Sequence, residues 1–282
     1  MVRTGMRVSG SLRKSILVLL VAGGLSGCVD NREPSFENFS PKEIYDRAEY
    51  ELETGNLEDS ARYFGEVERL YPYSEWAKRA LIMQAYAFHW DRNYEESRSA
   101  AQRYIDFYPA DEDAAYAQYL LALSYYDQID DVGRDQGITF QALQALRTVI
   151  ERYPDSEYAD SAILKFDLAF DHLAGKEMEI GRYYLGKLYY AASINRFRVV
   201  VEDFQTTSHT PEALHRLVEA YLALGLVEEA QTAGAILGYN YQGSEWYNDS
   251  YVLLTGQGLL LEPVGSSWLS GIYRQSIQGK WL

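Results

Sequence analysis

The histidines and the single cysteine of this chain are the side chains that metal or nucleophilic chemistry would need. The 282 residues include four histidines and one cysteine, Cys28. His209 and His215 are six residues apart, whereas a helix brings residues three or four apart onto one face. One cysteine can form neither an intramolecular disulfide nor a cysteine cage for zinc. We therefore expect no metal site and no cofactor.

Pairs of acidic residues recur along the chain and could suggest proton-transfer chemistry. They are Glu58–Asp59, Glu95–Glu96 and Glu228–Glu229. Each pair follows a turn signal and opens a segment of helical periodicity, where acidic side chains favour the positive end of the helix dipole. The sequence also lacks a glycine-rich phosphate loop with its lysine. These features predict a protein that is not an enzyme.

The composition predicts a folded and strongly acidic protein. Hydrophobic residues make up 47% of the chain, which is enough for a sizeable core, and 25 residues are tyrosines. The formal net charge is −15, and a nucleic-acid binder needs a basic surface to neutralise phosphates. We therefore expect no nucleic-acid partner.

The first 27 residues are typical of a cleaved lipoprotein signal peptide. A basic start without acidic residues is followed by an apolar run over 16–25, which is too short to span a bilayer comfortably. The run ends in Leu25-Ser26-Gly27-Cys28, a lipobox in which Cys28 becomes the acylated N-terminus. An unmodified cysteine after an ordinary signal peptide is the alternative. We predict a covalent N-acyl diacylglycerol lipid on Cys28, because several acyl chains give a stable anchor.

The mature chain is expected to lie at the periplasmic face of the outer membrane of a Gram-negative bacterium. Without residues 1–27 it keeps 22 basic against 41 acidic residues. A surface this acidic is repelled by anionic lipid, so the acyl chains must provide the attachment. Val29 follows Cys28, and resemblance to lipoprotein sorting rules then favours the outer over the inner membrane.

An internal repeat of 37 residues predicts the fold. Pro72 and Pro109 are 37 residues apart, and each follows a tyrosine. The same spacing separates small and turn-forming residues: Ala48, Ala85 and Ala122; Asn56 and Asn93; Ser60 and Ser97. A helix–turn–helix pattern with this period is typical of tetratricopeptide repeats. We predict an all-α protein, an α-solenoid of about five helical hairpins in which proline ends the second helix of a hairpin.

The repeat divides the chain into predicted units. The hairpins occupy 41–72, 75–109, 112–154 with an inserted loop over 128–137, an irregular fourth unit, and 210–242. In the fourth unit we expect a separate helix over 157–174, followed by a pair over 176–187 and 189–204; one kinked helix over 157–187 is the open alternative. The predicted divisions are a lipidated linker (28–40), N-terminal repeats (41–154), C-terminal repeats (155–255), and a tail (256–282) that caps the array or docks on a partner.

The first helices of such arrays line the concave side, and here they are rich in aromatic residues. A mixed aromatic and polar groove can hold an extended peptide, because rings contribute apolar area at low entropic cost and a cation can meet a terminal carboxylate. We predict peptide-binding residues at Tyr45, Arg79, Tyr86, His89, Trp90, Tyr116 and Tyr119. Lys42, Glu49, Ile82 and Tyr126 are expected on the same face. The alternative is that these side chains only fill the contacts between repeats.

The lipobox and the repeat together resemble the BamD (ComL) family of lipoproteins. The resemblance is carried by Cys28, by Ile194-Asn195-Arg196, and by Tyr45-Ala48-Leu52-Gly55-Asn56-Ser60-Phe64-Val67-Tyr71-Pro72. It covers roughly residues 25–242. The family implies a scaffold of the machinery that inserts β-barrel proteins into the outer membrane. It implies that the N-terminal repeats (41–154) receive the C-terminal aromatic targeting strand of clients and that the C-terminal repeats (155–255) dock the barrel-inserting subunit. Implied partners are the barrel-inserting core subunit, accessory lipoproteins, unfolded barrel clients and, through the acyl anchor, outer-membrane lipid.

The resemblance also implies a role for Arg196. The Asn-Arg pair of the family lies near the contact with the barrel-inserting subunit, so Arg196 is expected to bind that partner; a solvated helix charge is the alternative. Two other functions remain open. One is a repeat lipoprotein that acts as a pilotin or as an envelope or cell-division scaffold. The other is a periplasmic hydrolase with added repeats, although no segment is left over for a separate catalytic domain.

Overall fold

The computed structural model describes residues 35–281, and the residues from Phe36 onward form one compact unit. The predicted signal peptide and the lipidation site Cys28 lie outside the described residues. Within them the chain forms twelve α-helices and no strand, which confirms the all-α prediction. The helices are α1 (Pro41–Glu53), α2 (Leu57–Leu70), α3 (Glu75–Trp90), α4 (Tyr94–Phe107), α5 (Ala114–Tyr126), α6 (Gly137–Arg152), α7 (Ala159–Gly186), α8 (Tyr190–Asp203), α9 (Thr210–Ala223), α10 (Val227–Asn240), α11 (Glu245–Thr255) and α12 (Trp268–Ile277).

Ten of these helices form five consecutive pairs of neighbouring helices, from α1 and α2 to α9 and α10. Each pair packs on the next. The five predicted hairpins are therefore present. Because one hairpin cannot bury its apolar face alone, stacking joins the hairpins into an extended core. None of the helices in residues 35–281 combines the length and the apolar composition needed to cross a bilayer.

The second helix of every hairpin ends at an aromatic residue with the same backbone conformation. These residues have φ between −135° and −125°. They are Tyr71, Tyr108, Tyr153, Phe204 and Tyr241. Proline follows the first three, whereas glutamine follows the last two. The aromatic residue is thus the constant feature of the helix end, and proline reinforces it where it occurs by preventing continuation of the helix.

A buried hydroxyl joins the two helices of the first and second hairpins. Ser60 donates a hydrogen bond to the carbonyl of Ala48 at 2.9 Å, and Ser97 donates to the carbonyl of Ala85 at 2.8 Å. All four residues are fully buried. The small residues of the 37-residue repeat therefore allow the helices to approach closely, and serine adds a hydrogen bond that alanine would not.

The fourth unit differs from the prediction. The separate helices expected over 157–174 and 176–187 are one continuous helix of 28 residues, α7. The predicted break lay at Gly175, which is buried inside this helix. A lone glycine costs a helix about 1 kcal/mol relative to alanine but keeps its N–H, so it does not end a helix as proline does.

The inserted segment of the third hairpin and the tail both pack against the array. The insertion forms the loop before α6, where Lys176 of α7 donates to the carbonyl of Gly133 at 2.9 Å. In the tail, α12 packs on α10, and the indole of Trp281 donates to the carbonyl of Val201 at 3.2 Å. Leu269 and Trp281 are buried. The tail thus covers the apolar end of the last hairpin, as a capping segment does.

Candidate functional site

The candidate site is the layer made by the first helices of the hairpins. α3 packs on both α1 and α5, and α5 packs on α7, in addition to the contacts within each hairpin. The second helices α2, α4 and α6 pack on one another less than these first helices do. The first helices therefore pack side by side as a layer, along which an extended ligand would contact several hairpins at once.

An aromatic and cationic cluster occupies the start of this layer. The Tyr45 ring centroid lies 5.0 Å from that of Trp76 and 5.2 Å from that of Phe64. The Arg79 guanidinium and the Lys42 ammonium each lie 5.4 Å from the Trp76 ring, which is within cation–π range. The cluster combines an apolar surface with two cations, which suits an aromatic group that carries or adjoins a carboxylate.

Trp76 was not among the residues predicted from the sequence. It lies three positions before Arg79, so the two side chains share one face of α3. That spacing is the feature of the sequence that could have identified Trp76. Burial raises the pKa of the Tyr45 hydroxyl, and the nearby Glu49 carboxylate adds to this rise. Tyr45 is therefore a neutral phenol at neutral pH and contributes a hydrogen-bonding hydroxyl, not a charge.

The end of α3 provides an open aromatic ring of the layer. The Trp90 side chain is 60% exposed, and its ring centroid lies 6.0 Å from that of Tyr86. Tyr86 itself is half-buried. Trp90 and Tyr86 thus form an aromatic pair in which the Trp90 ring is open to solvent. Such a ring is available to a ligand.

His89 lies in the contact between hairpins and not on the open surface. Its side chain is only 10% exposed. Nδ1 lies 3.2 Å from the Ser124 hydroxyl, and Nε2 lies 3.1 Å from a carboxylate oxygen of Asp127. Burial lowers the pKa of His89 even though Asp127 favours the charged form. Both ring nitrogens are already used to join α3 to α5, so the structure does not place His89 where a peptide would contact it.

The tyrosines of α5 are likewise packed against the next hairpin. Tyr119 is 9% exposed, stacks on Tyr158 with ring centroids 5.3 Å apart, and has its hydroxyl 2.7 Å from the Ser161 hydroxyl. Tyr116 lies 5.2 Å from Tyr158 and is half-buried. Burial raises the pKa of Tyr116, and neighbouring Tyr86 adds to the effect. Ile82, expected on the same face, is also buried.

The structure therefore separates the predicted peptide-binding residues into two groups. Tyr45, Arg79, Tyr86 and Trp90 adjoin the open part of the first-helix layer, and Tyr116 is at its edge. His89 and Tyr119 lie in the contacts between hairpins, as the alternative interpretation had it. No group of three side chains suited to a metal ion occurs within residues 35–281.

Arg196 lies on α8, in a different part of the molecule. Its Nη1 donates to a Glu177 carboxylate oxygen of α7 at 3.0 Å, and its side chain is 42% exposed. One edge of the guanidinium is thus held by an intramolecular ion pair, while much of it remains open to solvent. Such a half-open arginine is geometrically able to accept a second carboxylate.

Comparison with known proteins gives the same family along most of the chain. A family model described as an outer membrane lipoprotein, YfiO, matches residues 37–236. Outer membrane protein assembly factor BamD of Caulobacter vibrioides is 49% identical over 248 residues, which cover 87% of this chain and 81% of that protein.

More distant relatives carry the same name. Outer membrane protein assembly factor BamD of Rickettsia prowazekii is 41% identical over 244 residues, which cover 86% of this chain and 97% of that protein. The corresponding protein of Neisseria meningitidis serogroup A is 26% identical over 255 residues, or 85% of this chain and 96% of that protein. The resemblance seen in the lipobox and the repeat is thereby confirmed. The chain belongs to the YfiO family of outer membrane lipoproteins, the family of the BamD assembly factors.

Proposed function

We propose that this protein is a lipid-anchored scaffold subunit of the machinery that assembles β-barrel proteins in the outer membrane. The names of its relatives support a role in outer membrane protein assembly. The helical-hairpin array supports the scaffold role, because such arrays present extended surfaces for other polypeptides. The predicted acylation of Cys28 attaches the array to the periplasmic face of the membrane.

The first-helix layer binds the C-terminal aromatic strand of unfolded barrel clients. The observation that carries this proposal is the open cluster of α1 and α3, in which the Trp76 ring lies 5.0 Å from the Tyr45 ring and 5.4 Å from the Arg79 guanidinium. A terminal carboxylate pairs with the cation, and an aromatic side chain packs on the rings. Trp90, farther along the same layer, is available to a second apolar residue of an extended strand, whose side chains alternate between faces.

The experiment that tests this proposal is photocrosslinking of the full-length protein to a synthetic peptide that ends in an aromatic residue with a free carboxylate. Replacing both Arg79 and Trp90 by alanine should reduce crosslinking at least about tenfold, because truncated aromatic and arginine anchors typically dominate an interface. The matched control is Tyr73→Ala, which removes a fully exposed ring (101%) from the turn before α3. Equal crosslinking by the double variant and by the control would place the client site elsewhere.

The C-terminal hairpins dock the barrel-inserting subunit, with Arg196 as a contact. Its exposed guanidinium edge supports this proposal, and the negative charge of the chain favours a partner with a complementary surface, chiefly through association rate and register. Arg196→Glu should lower the yield of the barrel-inserting subunit in pull-downs of the detergent-extracted protein. An unchanged yield of that subunit would mean that Arg196 is only a solvated charge on its helix.

The pilotin or envelope-scaffold alternative makes a different prediction for the same purification. A pilotin would bring down a secretin in place of the barrel-inserting subunit. The family membership of the chain favours the assembly role.

A further inference from the structure

Three adjoining cavities surround Leu168 in the middle of α7. The first, of about 390 Å³, lies between α7, the inserted loop and His209. The second, also of about 390 Å³, lies between α7 and residues 206–208. The third, of about 230 Å³, lies between α7 and the residues that follow α5. Leu168 lines all three, so they form one continuous concave surface, here called the mid-α7 surface.

Six of the α7 residues that line this surface are spaced three or four apart. They are Leu164, Leu168, Asp171, Gly175, Glu179 and Arg182. This spacing places them on one face of the helix. Asp167, Ala169, Phe170 and His172 also line the cavities. Glu177, which holds Arg196, is two residues beyond Gly175 and therefore points to the opposite side. The mid-α7 surface is thus separate from the proposed contact at Arg196.

Hydrogen bonds fix the walls of the mid-α7 surface. Asp171 accepts from the backbone N–H of Ser208 at 2.9 Å and from its hydroxyl at 2.8 Å. On the other side Lys176 holds the inserted loop through the Gly133 carbonyl. Gly175 leaves room for this arrangement, because a Cβ at that position would lie 3.2 Å from His209 Nε2. The concavity is therefore built by the fold and is not a gap between loose segments.

The centre of the mid-α7 surface is apolar and open. Leu164 is 60% exposed and Leu168 is 53% exposed. Two leucines one helical turn apart, both more than half exposed and both lining cavities, form the kind of apolar patch that marks a protein interaction site.

The rim of the mid-α7 surface is acidic. Its carboxylates are Asp130, Asp131, Asp167, Asp171 and Glu179. Arg134 pairs with Asp130 at 2.7 Å and Lys176 lies 3.8 Å from Glu179, so the five carboxylates outnumber these two cations. The one arginine that lines these cavities, Arg182, donates to Glu212 at 2.8 Å, so its charge is already balanced. In addition, His172 Nε2 is buried there without a hydrogen-bond partner among the described residues. An apolar floor inside a negative rim is complementary to apolar side chains flanked by cations.

We propose that the mid-α7 surface docks a partner polypeptide segment in which apolar side chains alternate with lysine or arginine. The apolar side chains occupy the cavities around Leu168, and the basic side chains pair with the rim carboxylates. This goes beyond the proposed function, because neither the aromatic cluster of α1 and α3 nor Arg196 takes part, and a failure of either of those contacts leaves it unaffected.

The test uses the detergent-extracted full chain and a fluorescent heptapeptide of alternating leucine and lysine, followed by fluorescence anisotropy. The double variant Leu164→Ser/Leu168→Ser should weaken binding at least tenfold. The double variant Asp167→Asn/Glu179→Gln should weaken it at least threefold and reduce its dependence on salt, since rim charges act through a screened interaction. The matched controls are Val252→Ser, which alters an apolar side chain exposed to 69% on α11, and Glu95→Gln/Glu96→Gln, which removes the same charge from α4; both should bind like the unaltered chain.

Three results would overturn the proposal. One is unchanged binding by Leu164→Ser/Leu168→Ser. Another is a loss of binding with Glu95→Gln/Glu96→Gln equal to that of the rim variant. It would show that the charge effect is long-range attraction by an acidic protein. The third is a dimer in sedimentation that Leu164→Ser/Leu168→Ser dissociates, which would assign the surface to a second copy of the chain.

Discussion

At the scale of single residues, one hydrogen-bonding node joins the second hairpin to the third. Asp111 accepts from the Lys78 ammonium and from the Tyr104 hydroxyl, each at 2.6 Å, and from the N–H of Asp113 at 3.2 Å. The Lys78 hydrogen bond, followed by that from Tyr104, holds the pKa of Asp111 below its usual 3.8. Burial together with Asp111 raises the pKa of Tyr104. The folded state therefore favours the ionised carboxylate.

This node predicts a pH-dependent loss of stability. Since the pKa of Asp111 is lowered by folding, its contribution is fully present above the unfolded pKa, near 4, and is lost as the pH falls through the lowered folded value. Asp111→Asn should lower the free energy of unfolding by about 1–2 kcal/mol at pH 7, the range of a hydrogen bond to a charged group after some screening. Urea unfolding at pH 7 and pH 3 measures the effect.

The difference between Asp111→Asn and the unaltered protein should shrink at pH 3. Asp155→Asn, which changes an exposed carboxylate in the turn after α6, is the matched control and should be near neutral at both values. A difference that stays constant with pH would show that the node does not depend on the ionised carboxylate.

At the scale of the elements, the single helix α7 makes the packing contacts of two helices. Its first half packs on α5 and α6, and its second half pairs with α8. The second half crosses α8 closely at Gly181, where an added Cβ would lie 2.4 Å from a ring carbon of Phe197. Phe197 is fully buried. The glycine is therefore required by the close approach of the two helices.

The close crossing at Gly181 predicts a large effect of a small side chain. Gly181→Val should destabilise the protein by about 2 kcal/mol, because overpacking a well-filled core costs about 1–3 kcal/mol and a β-branched residue regains little helix propensity. Gly186→Ala, at the end of the same helix, is the control: a Cβ there meets nothing within 4 Å. Thermal unfolding measures both variants, and similar melting temperatures would mean that Phe197 moves aside without cost.

At the scale of the whole molecule, the described helices form an array that presents two kinds of surface. The aromatic cluster of α1 and α3 includes the Arg79 cation and the Lys42 cation, which also pairs with Asp46, whereas the mid-α7 surface is apolar with an acidic rim. These surfaces suit different polypeptides.

The lipobox interpretation predicts that membrane attachment depends on Cys28. Cys28→Ala should prevent acylation and shift the protein from the outer-membrane fraction to the soluble periplasmic fraction, because the acyl chains supply the binding free energy at about 0.8 kcal/mol per buried methylene. Fractionation with immunoblotting, together with mass measurement of the unaltered chain, checks this. Ser26→Ala is a control that keeps the cysteine and should remain acylated; a membrane-bound Cys28→Ala protein would contradict the lipobox interpretation.

The number, order and ends of the hairpins were determined by the sequence itself. The spacing of Ala48, Ser60 and Pro72 and its recurrence 37 residues later depend on local geometry, namely the helical period and the inability of proline to continue a helix. The continuity of α7 was not predictable in the same way, because a glycine such as Gly175 is compatible with either a break or a buried helical position.

Only the tertiary structure decided which aromatic side chains are open. Trp90 and Tyr119 have similar local settings on first helices, yet Trp90 is 60% exposed and Tyr119 is 9% exposed. The difference comes from Tyr158 and Ser161, which belong to the next hairpin and cover Tyr119. Burial depends on neighbours that are distant along the chain, whereas the sequence pattern reports chiefly on neighbours within one or two helical turns.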